Sequence, residues 1–319
     1  MRRYKSELIK IVAVLLLLLL VIIGYTIYLN DLCDFQDGLT AVRTPDGRQI
    51  EKFKPGEAVK TFSSLPAICD YKNGKLVCPD VRNLGETMLR QTQLATIRML
   101  AAFDKICRKH GIRYWMWRGA LLGVIRHEGF IPWDNELDIG IMKADYEKFR
   151  IVSHELPADI FLQNASSDPE YGRQKHTILG KLRDTKGCFG YCARTGCHFH
   201  DGLMIDIFGF EEYKDDFIRE TTSNSVNFEI RKSNIFPLKE KTFEGFQVMV
   251  PIDHDTLLTK TYGSAYGELP PIKRRCPPGK LIGLPWTSCQ DLEQMDTKQK
   301  RLHLYLSTIS NIKYLAWFF

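Results

Sequence analysis

Nineteen consecutive residues without a charge, IVAVLLLLLLVIIGYTIYL from Ile11 to Leu29, constrain this chain more than any other feature of its sequence. A helix needs roughly 20 apolar residues to cross the hydrocarbon core of a bilayer, so the run predicts a membrane-spanning segment over 11–29. A cleaved leader has a shorter apolar region, about 7 to 15 residues, ending in a small-x-small site. Tyr25, Tyr28 and Leu29 supply no such site. Arg2, Arg3, Lys5 and Lys10 precede the segment, whereas Asp31, Asp34 and Asp37 follow it with no Lys or Arg before Arg43. That cation bias puts the N-terminus in the cytosol. The expectation is a single-pass type II membrane protein with a cytosolic tail over 1–10, a signal anchor over 11–29, and its bulk in the lumen of the Golgi or ER.

The rest reads as a folded protein. Apolar residues make up 44% and charged residues 26% of 319, a balance that excludes wholesale disorder and a many-span transporter. Half of the formal charge of +6 falls within the first ten residues and the remainder is close to neutral, so no broad basic surface for nucleic acid is expected. All nine cysteines follow the anchor, in a compartment where disulfides persist. Their odd number leaves at least one unpaired within the chain, and Cys107, on the apolar stripe of a predicted helix, is the candidate. Asn164-Ala165-Ser166 is the acceptable N-glycosylation sequon.

Residues 30–82 are rich in turn signals and read as a stem. Asn73-Gly74 lies between Cys69 and Cys78, as in a hairpin closed by a disulfide, with an irregular, differently paired loop as the alternative. Asn83 followed by Glu86 resembles a capping box, and apolar spacing predicts a helix from there to His110-Gly111. Strands are expected at 114–117, 137–142 and 203–208, with a turn into a short helix over 119–126. There is no fixed-period repeat, so the main domain, 83–295, is expected to be mixed α/β (α+β), with 296–319 as a C-terminal segment.

In Trp133-Asp134-Asn135-Glu136-Leu137-Asp138-Ile139, residues two apart share a strand face. Glu136 and Asp138 would then offer adjacent oxygens to Mg²⁺ or Mn²⁺ while Leu137 and Ile139 enter the core. Asp206 interrupts an apolar strand, and an unpaired buried carboxylate is costly, which points to metal ligation or to a salt bridge with Lys181 or Arg183. Gly119-Ala120-Leu121-Leu122-Gly123 allows either close approach of backbone to phosphate or tight helix packing. Within 188–200, Cys188, Cys192, Cys197, His198 and His200 could bind structural Zn²⁺ or form disulfides. The basic stretch from Lys273 to Lys280 reads as a nucleotide contact or as a solvated loop fixed by Cys276 and Cys289.

The run RGALLGVIRHEGFIPWDNELDIGI, Arg118 to Ile141, resembles the LicD family, which includes the fukutin and fukutin-related proteins. The likeness continues through FDKICRKHGIRYW, IDIFGFE, FEGFQVMVP and LLTKTYG, over about residues 86–290. The resemblance implies a nucleotidyltransferase-like fold with a mixed sheet, Gly119 and Ala120 in its glycine motif and Glu136, Asp138 and Asp206 as its acids. GALLG and WDNELDI depart from the family's usual GTLLG and WDDDIDI at Ala120, Asn135 and Glu136. The implied reaction moves phosphocholine or an alditol phosphate such as ribitol phosphate from a CDP-linked donor to a glycan or glycoprotein hydroxyl. Asp206 would complete the metal site or accept the acceptor's proton, and Arg126 with Lys181 or Arg183 would clamp phosphate oxygens, surface charges being the alternative reading of these three. Fukutin-related proteins also carry a zinc-binding cysteine-rich insert, loosely matched here. A sugar-nucleotide glycosyltransferase, and a catalytically weak scaffold in a homo-oligomer or glycosylation-enzyme complex, are the competing readings.

Overall fold

The computed structural model describes residues 39–43, 49–53, 69–85, 87–168, 171, 178–189, 202–221, 229–271, 283–300 and 302. The predicted anchor over 11–29, along with Cys192, Cys197, His198, His200 and Cys276, lies outside the described residues. Among the described residues no helix is long and apolar enough to cross a membrane.

Strands β1 (Leu39–Arg43) and β2 (Gln49–Phe53) pair antiparallel. A second hairpin joins β3 (Asp70–Lys72) to β4 (Lys75–Val77) through Asn73 and Gly74, whose φ values of 52° and 77° suit the tight hairpin turn. A Cys69–Cys78 disulfide closes its base. Helix α1 (Met88–His110) begins later than the predicted capping box, because Gly85 is extended and Asn83 sits in a separate 3-10 turn over Arg82–Leu84. The hydroxyl of Thr87 caps it instead, accepting from the Arg90 N–H, and Gly111 ends it in the left-handed conformation.

The chain continues through β5 (Tyr114–Met116), α2 (Arg118–His127), β6 (Asp138–Met142), α3 (Lys143–Val152), β7 (Ile160–Gln163), β8 (Gly180–Asp184) and β9 (Cys188–Phe189). It then forms β10 (Met204–Lys214), β11 (Phe217–Glu220), β12 (Glu229–Arg231), α4 (Lys232–Ile235), β13 (Lys239–Phe243) and β14 (Phe246–Val250). Helix α5 (His254–Tyr262), strand β15 (Gly283–Leu284) and helix α6 (Cys289–Gln294) complete it. Seven strands form one mixed sheet around β10. One edge of β10 pairs parallel with β6, while the other pairs antiparallel with β8 and, farther along, with β11.

The two faces of this sheet have different fates because strand side chains alternate. On one face Ile139, Ile141, Leu182, Ile205 and Ile207 meet Leu94, Ile97, Leu100, Phe103 and Ile106 of α1 in the main core. Cys107 is buried there as a free thiol. On the other face Met142, Phe208 and Phe210 join Trp115, Trp117, Ile218, Ile235 and Leu257 in a second core. The ring of Trp115 covers Gly140, where a β-carbon would stand 2.4 Å from it. The second core stops short of Asp138 and Asp206, which leaves those acids at its margin.

Two sequence expectations are corrected. Cys289 is bonded to Cys188 and not to Cys276, because β9 and β15 pair at Cys188 and Leu284 and so bring the start of α6 alongside. That bond also removes Cys188 from any zinc set. Asn164 is buried, its amide donating to the Tyr146 hydroxyl and its oxygen accepting from the Ser166 and Ser167 N–H groups. A glycan attached to that nitrogen would not fit this fold.

Arg82 ties the stem hairpin's exit to the sheet. It is fully buried, pairs with Asp184 at 2.7 Å and with Asp80 at 2.8 Å, donates to the Pro285 carbonyl, and lies beneath the Trp286 ring. Removing one member of a buried pair strands the other charge. Arg82→Met is therefore expected to lower the unfolding free energy by about 3–5 kcal/mol in urea titrations of the full chain; a loss below about 1 kcal/mol would show that the pair is dispensable.

Candidate functional site

The register of the mixed sheet builds the site. Asp206 on β10 lies opposite Asp138 on β6 and, across its other edge, opposite Lys181 on β8. Laterally paired residues share a face, so these three side chains stand in a row across the sheet. Lys181 Nζ donates to Asp206 Oδ1 at 2.6 Å and also touches the Met204 sulfur at 2.9 Å. The salt bridge that is the alternative to metal ligation for Asp206 thus forms, with Lys181. Asp134, Glu136 and Asp138 are half-buried while Asn135, Leu137 and Ile139 are buried, so the two-residue alternation persists although β6 proper begins only at Asp138.

These acids crowd one another. Burial pushes the Glu136 carboxyl up to about 7, with the charges of Asp206 and Asp134 adding to the effect and Lys181 opposing it. Asp138 is pushed well above the usual carboxylate range, first by burial and then by Asp206, Glu136 and Asp134, with Arg118 pulling the other way. Burial raises Asp134 too, against the hydrogen bonds its carboxylate accepts from the Asn135 and Glu136 N–H groups. Lys181 is shifted down by burial despite its partner Asp206.

Helix α2 faces this row. The Trp117 N–H donates to the Asp138 carbonyl at 3.0 Å, and no side chain caps the helix start. A β-carbon on Gly119 would stand 3.2 Å from Asp134 Oδ2, so this glycine lets helix and carboxylate approach closely. Ala120 packs into the main core. Gly123 is needed for packing, since a β-carbon there would meet the Gly129 carbonyl oxygen at 2.5 Å. Arg126 and Arg183 differ from their expected role as phosphate clamps. Arg126 is buried and donates to His127 and to the carbonyls of Tyr266 and Glu268. Arg183 is buried and donates to Gln163 and to the Gly202 carbonyl. Both hold loops.

Sequence reasoning passed over Asp134, Arg118 and Tyr262. The spacing of Asp134 two residues before Glu136 was the available signal for the first. Tyr262 comes from the distant end of α5, and the charges of Asp138 and Asp134 reach its phenol, which burial and those charges raise to about 12. No local pattern could have assigned it.

Residues 111–253 match the family described as LicD/FKTN/FKRP, nucleotidyltransferase domain. Over that span the chain is similar to the LicD family. The lipopolysaccharide cholinephosphotransferase LicD of Haemophilus influenzae is 39% identical over 61 residues, 19% of this chain and 23% of that protein. The ribitol 5-phosphate transferase FKRP of Homo sapiens is 51% identical over 35 residues, 11% of this chain and 7% of that protein. Uncharacterized protein RT0683 of Rickettsia typhi is 29% identical over 169 residues, 53% of this chain and 46% of that protein. The chain thus spans about half the length of the Rickettsia typhi protein and much less of the named transferases.

For the divalent ion that a LicD-family domain implies, the donor set fits in chemistry. Hard cations take carboxylate oxygens, and Glu136, Asp138, Asp134 and Asp206 provide them with Lys181 as the ammonium paired among them. Among the described residues no group of three or more His, Cys, Asp or Glu side chains is placed to hold a metal ion, so the fit is one of donor chemistry alone.

The crowding sets a pH dependence for metal-free protein. A carboxyl whose folded value is raised keeps its proton in the folded chain after the unfolded chain has lost it, so stability falls as pH climbs through that interval. For Glu136 the interval runs from 4.5 to about 7. Calorimetry in EDTA should therefore find Asp138→Asn more stable than the parent, with a larger gain at pH 8 than at pH 5. An Asp138→Asn variant no more stable than the parent at either pH would contradict the electrostatic account.

Proposed function

We propose that this chain is a metal-dependent phosphotransferase that moves an alcohol phosphate from a CDP-linked donor to a glycan hydroxyl on the lumenal side of a Golgi or ER membrane. The observation that carries the reading is the pairing of Asp138 with Asp206 on adjacent parallel strands, beside Glu136 and the uncapped start of α2. The names of the LicD and FKRP relatives support the phosphate-transfer class. The apolar run over 11–29 supports the membrane setting.

Mg²⁺ or Mn²⁺ held by Glu136 and Asp138, with Asp206 beside them, would supply positive charge to the donor diphosphate and its departing CMP. The free amides at the start of α2, around Gly119 and Ala120, point partial positive charge at phosphate. Lys181 occupies Asp206 Oδ1 and balances one carboxylate, leaving Oδ2 as the oxygen to receive the acceptor's proton. The acceptor oxygen bonds to the phosphorus that bears the alcohol as the bond from that phosphorus to CMP breaks. The electron pair leaves with CMP.

The test incubates full-length protein with Mn²⁺ or Mg²⁺ and, in turn, CDP-choline, CDP-ribitol, CDP-glycerol and UDP-sugars, following nucleotide release and acceptor mass. The expected result is CMP release with an alcohol phosphate gained by the acceptor, reduced about a hundredfold or more in Asp138→Ala. Transfer of a sugar without phosphate would replace this reading with a glycosyltransferase. Normal glycan modification in cells by folded Glu136→Ala, Asp138→Ala and Asp206→Ala variants would replace it with a scaffold.

A further inference from the structure

Arg118 stands out from the other cations near the acids. Lys181, Arg126 and Arg183 are buried and bonded to the protein, whereas the Arg118 side chain is 43% exposed. Its φ of 46° is left-handed, which costs a residue with a β-carbon and is retained only where the surroundings hold it. The turn comes one residue after Trp117, whose N–H is bonded to the Asp138 carbonyl. It lays the guanidinium over the Phe208 ring at 4.1 Å. Phe208 lies two residues beyond Asp206 on β10, so the guanidinium rests on the same sheet face as the acids.

Its anchor is built. Arg118 Nη2 donates to both oxygens of Glu220 at 3.2 Å, and the Glu220 side chain is only 3% exposed. Among the described residues, Nη2 is the only Arg118 nitrogen seen donating a hydrogen bond, and its partner is Glu220. A guanidinium that is stacked, tethered at one nitrogen and open at the others presents a fixed fork to a planar or tetrahedral anion. It lies near enough to Asp138 to lower that carboxyl's affinity for protons.

We propose that Arg118 is a donor-binding residue that grips the phosphate oxygens of the nucleoside-diphosphate donor, with Glu220 and Phe208 as its positioning residues. This rests on the phosphotransferase reading of the same site. It also supplies a free cation where Arg126 and Arg183 have none to give. The carboxylates need a metal to approach a diphosphate at all, and the guanidinium offers the same anion a second, metal-independent contact.

The test measures binding of CDP and of cytidine to full-length protein, with Mn²⁺ present, for the parent, Arg118→Gln, Arg118→Lys and Glu220→Gln. Loss of a hydrogen bond to a charged group corresponds to about a tenfold to hundredfold change in affinity. Arg118→Gln should weaken CDP by that amount and leave cytidine unchanged. Arg118→Lys should recover part of the loss, and Glu220→Gln should weaken CDP by a smaller factor. A folded Arg118→Gln that prefers CDP over cytidine as strongly as the parent overturns the proposal while leaving the function intact. If that variant does not fold, Arg118→Met takes its place, and a parental preference for CDP over cytidine there does the same. A parent that binds neither CDP nor any other nucleotide removes the functional reading itself, and this proposal with it.

Discussion

The parallel pairing of β6 with β10 is the contact on which the rest of the molecule depends. It sets Asp138 directly beside Asp206, and the antiparallel pairing of β8 on the far edge then delivers Lys181 to the same row. A slip of one residue in either register would turn the acids into the α1 core and the isoleucines into the site. The apolar alternation of Ile139, Ile141, Ile205 and Ile207 forbids that slip, because each must face α1. Site geometry and core packing are thus two consequences of one register.

The remaining tethers serve that sheet from outside. The Cys188–Cys289 disulfide and the Arg82–Asp184 pair converge on the end of β8, holding the segment around β15 and α6 against it. Glu244, at the turn of the β13–β14 hairpin, pairs with Arg90 of α1 at 2.6 Å and accepts from the Phe130 N–H. The loop between α2 and β6 is thereby fixed from both sides. Loops that carry acids cannot be placed by burial alone, since the acids resist burial; charged tethers at their margins do it.

The site stores electrostatic tension. Glu136 and Asp138 are shifted toward their neutral forms by burial and by neighbouring carboxylates, and Asp134 by burial. Gathering them costs stability, the kind of cost that functional sites commonly carry. A cation placed among them would relieve that tension.

Much of this was legible along the chain. The expected strands near 137–142 and 203–208, the helix ending at Gly111, the Cys69–Cys78 hairpin and the unpaired Cys107 all follow from local rules: alternation, capping and turn chemistry act within a few residues. The acid pair at 136 and 138 was readable for the same reason, since an i, i+2 spacing states its own geometry. What the sequence determined alone was therefore local conformation and the inventory of reactive groups. Only the tertiary structure decided which cations are free. Arg118, Arg126, Lys181 and Arg183 are equivalent as letters. Their availability depends on whether distant carbonyls at Tyr266, Glu268 and Gly202, or carboxylates at Asp206 and Glu220, claim their donors. Those partners meet only when strands and loops far apart in the chain close on one another, and no spacing rule reaches that far.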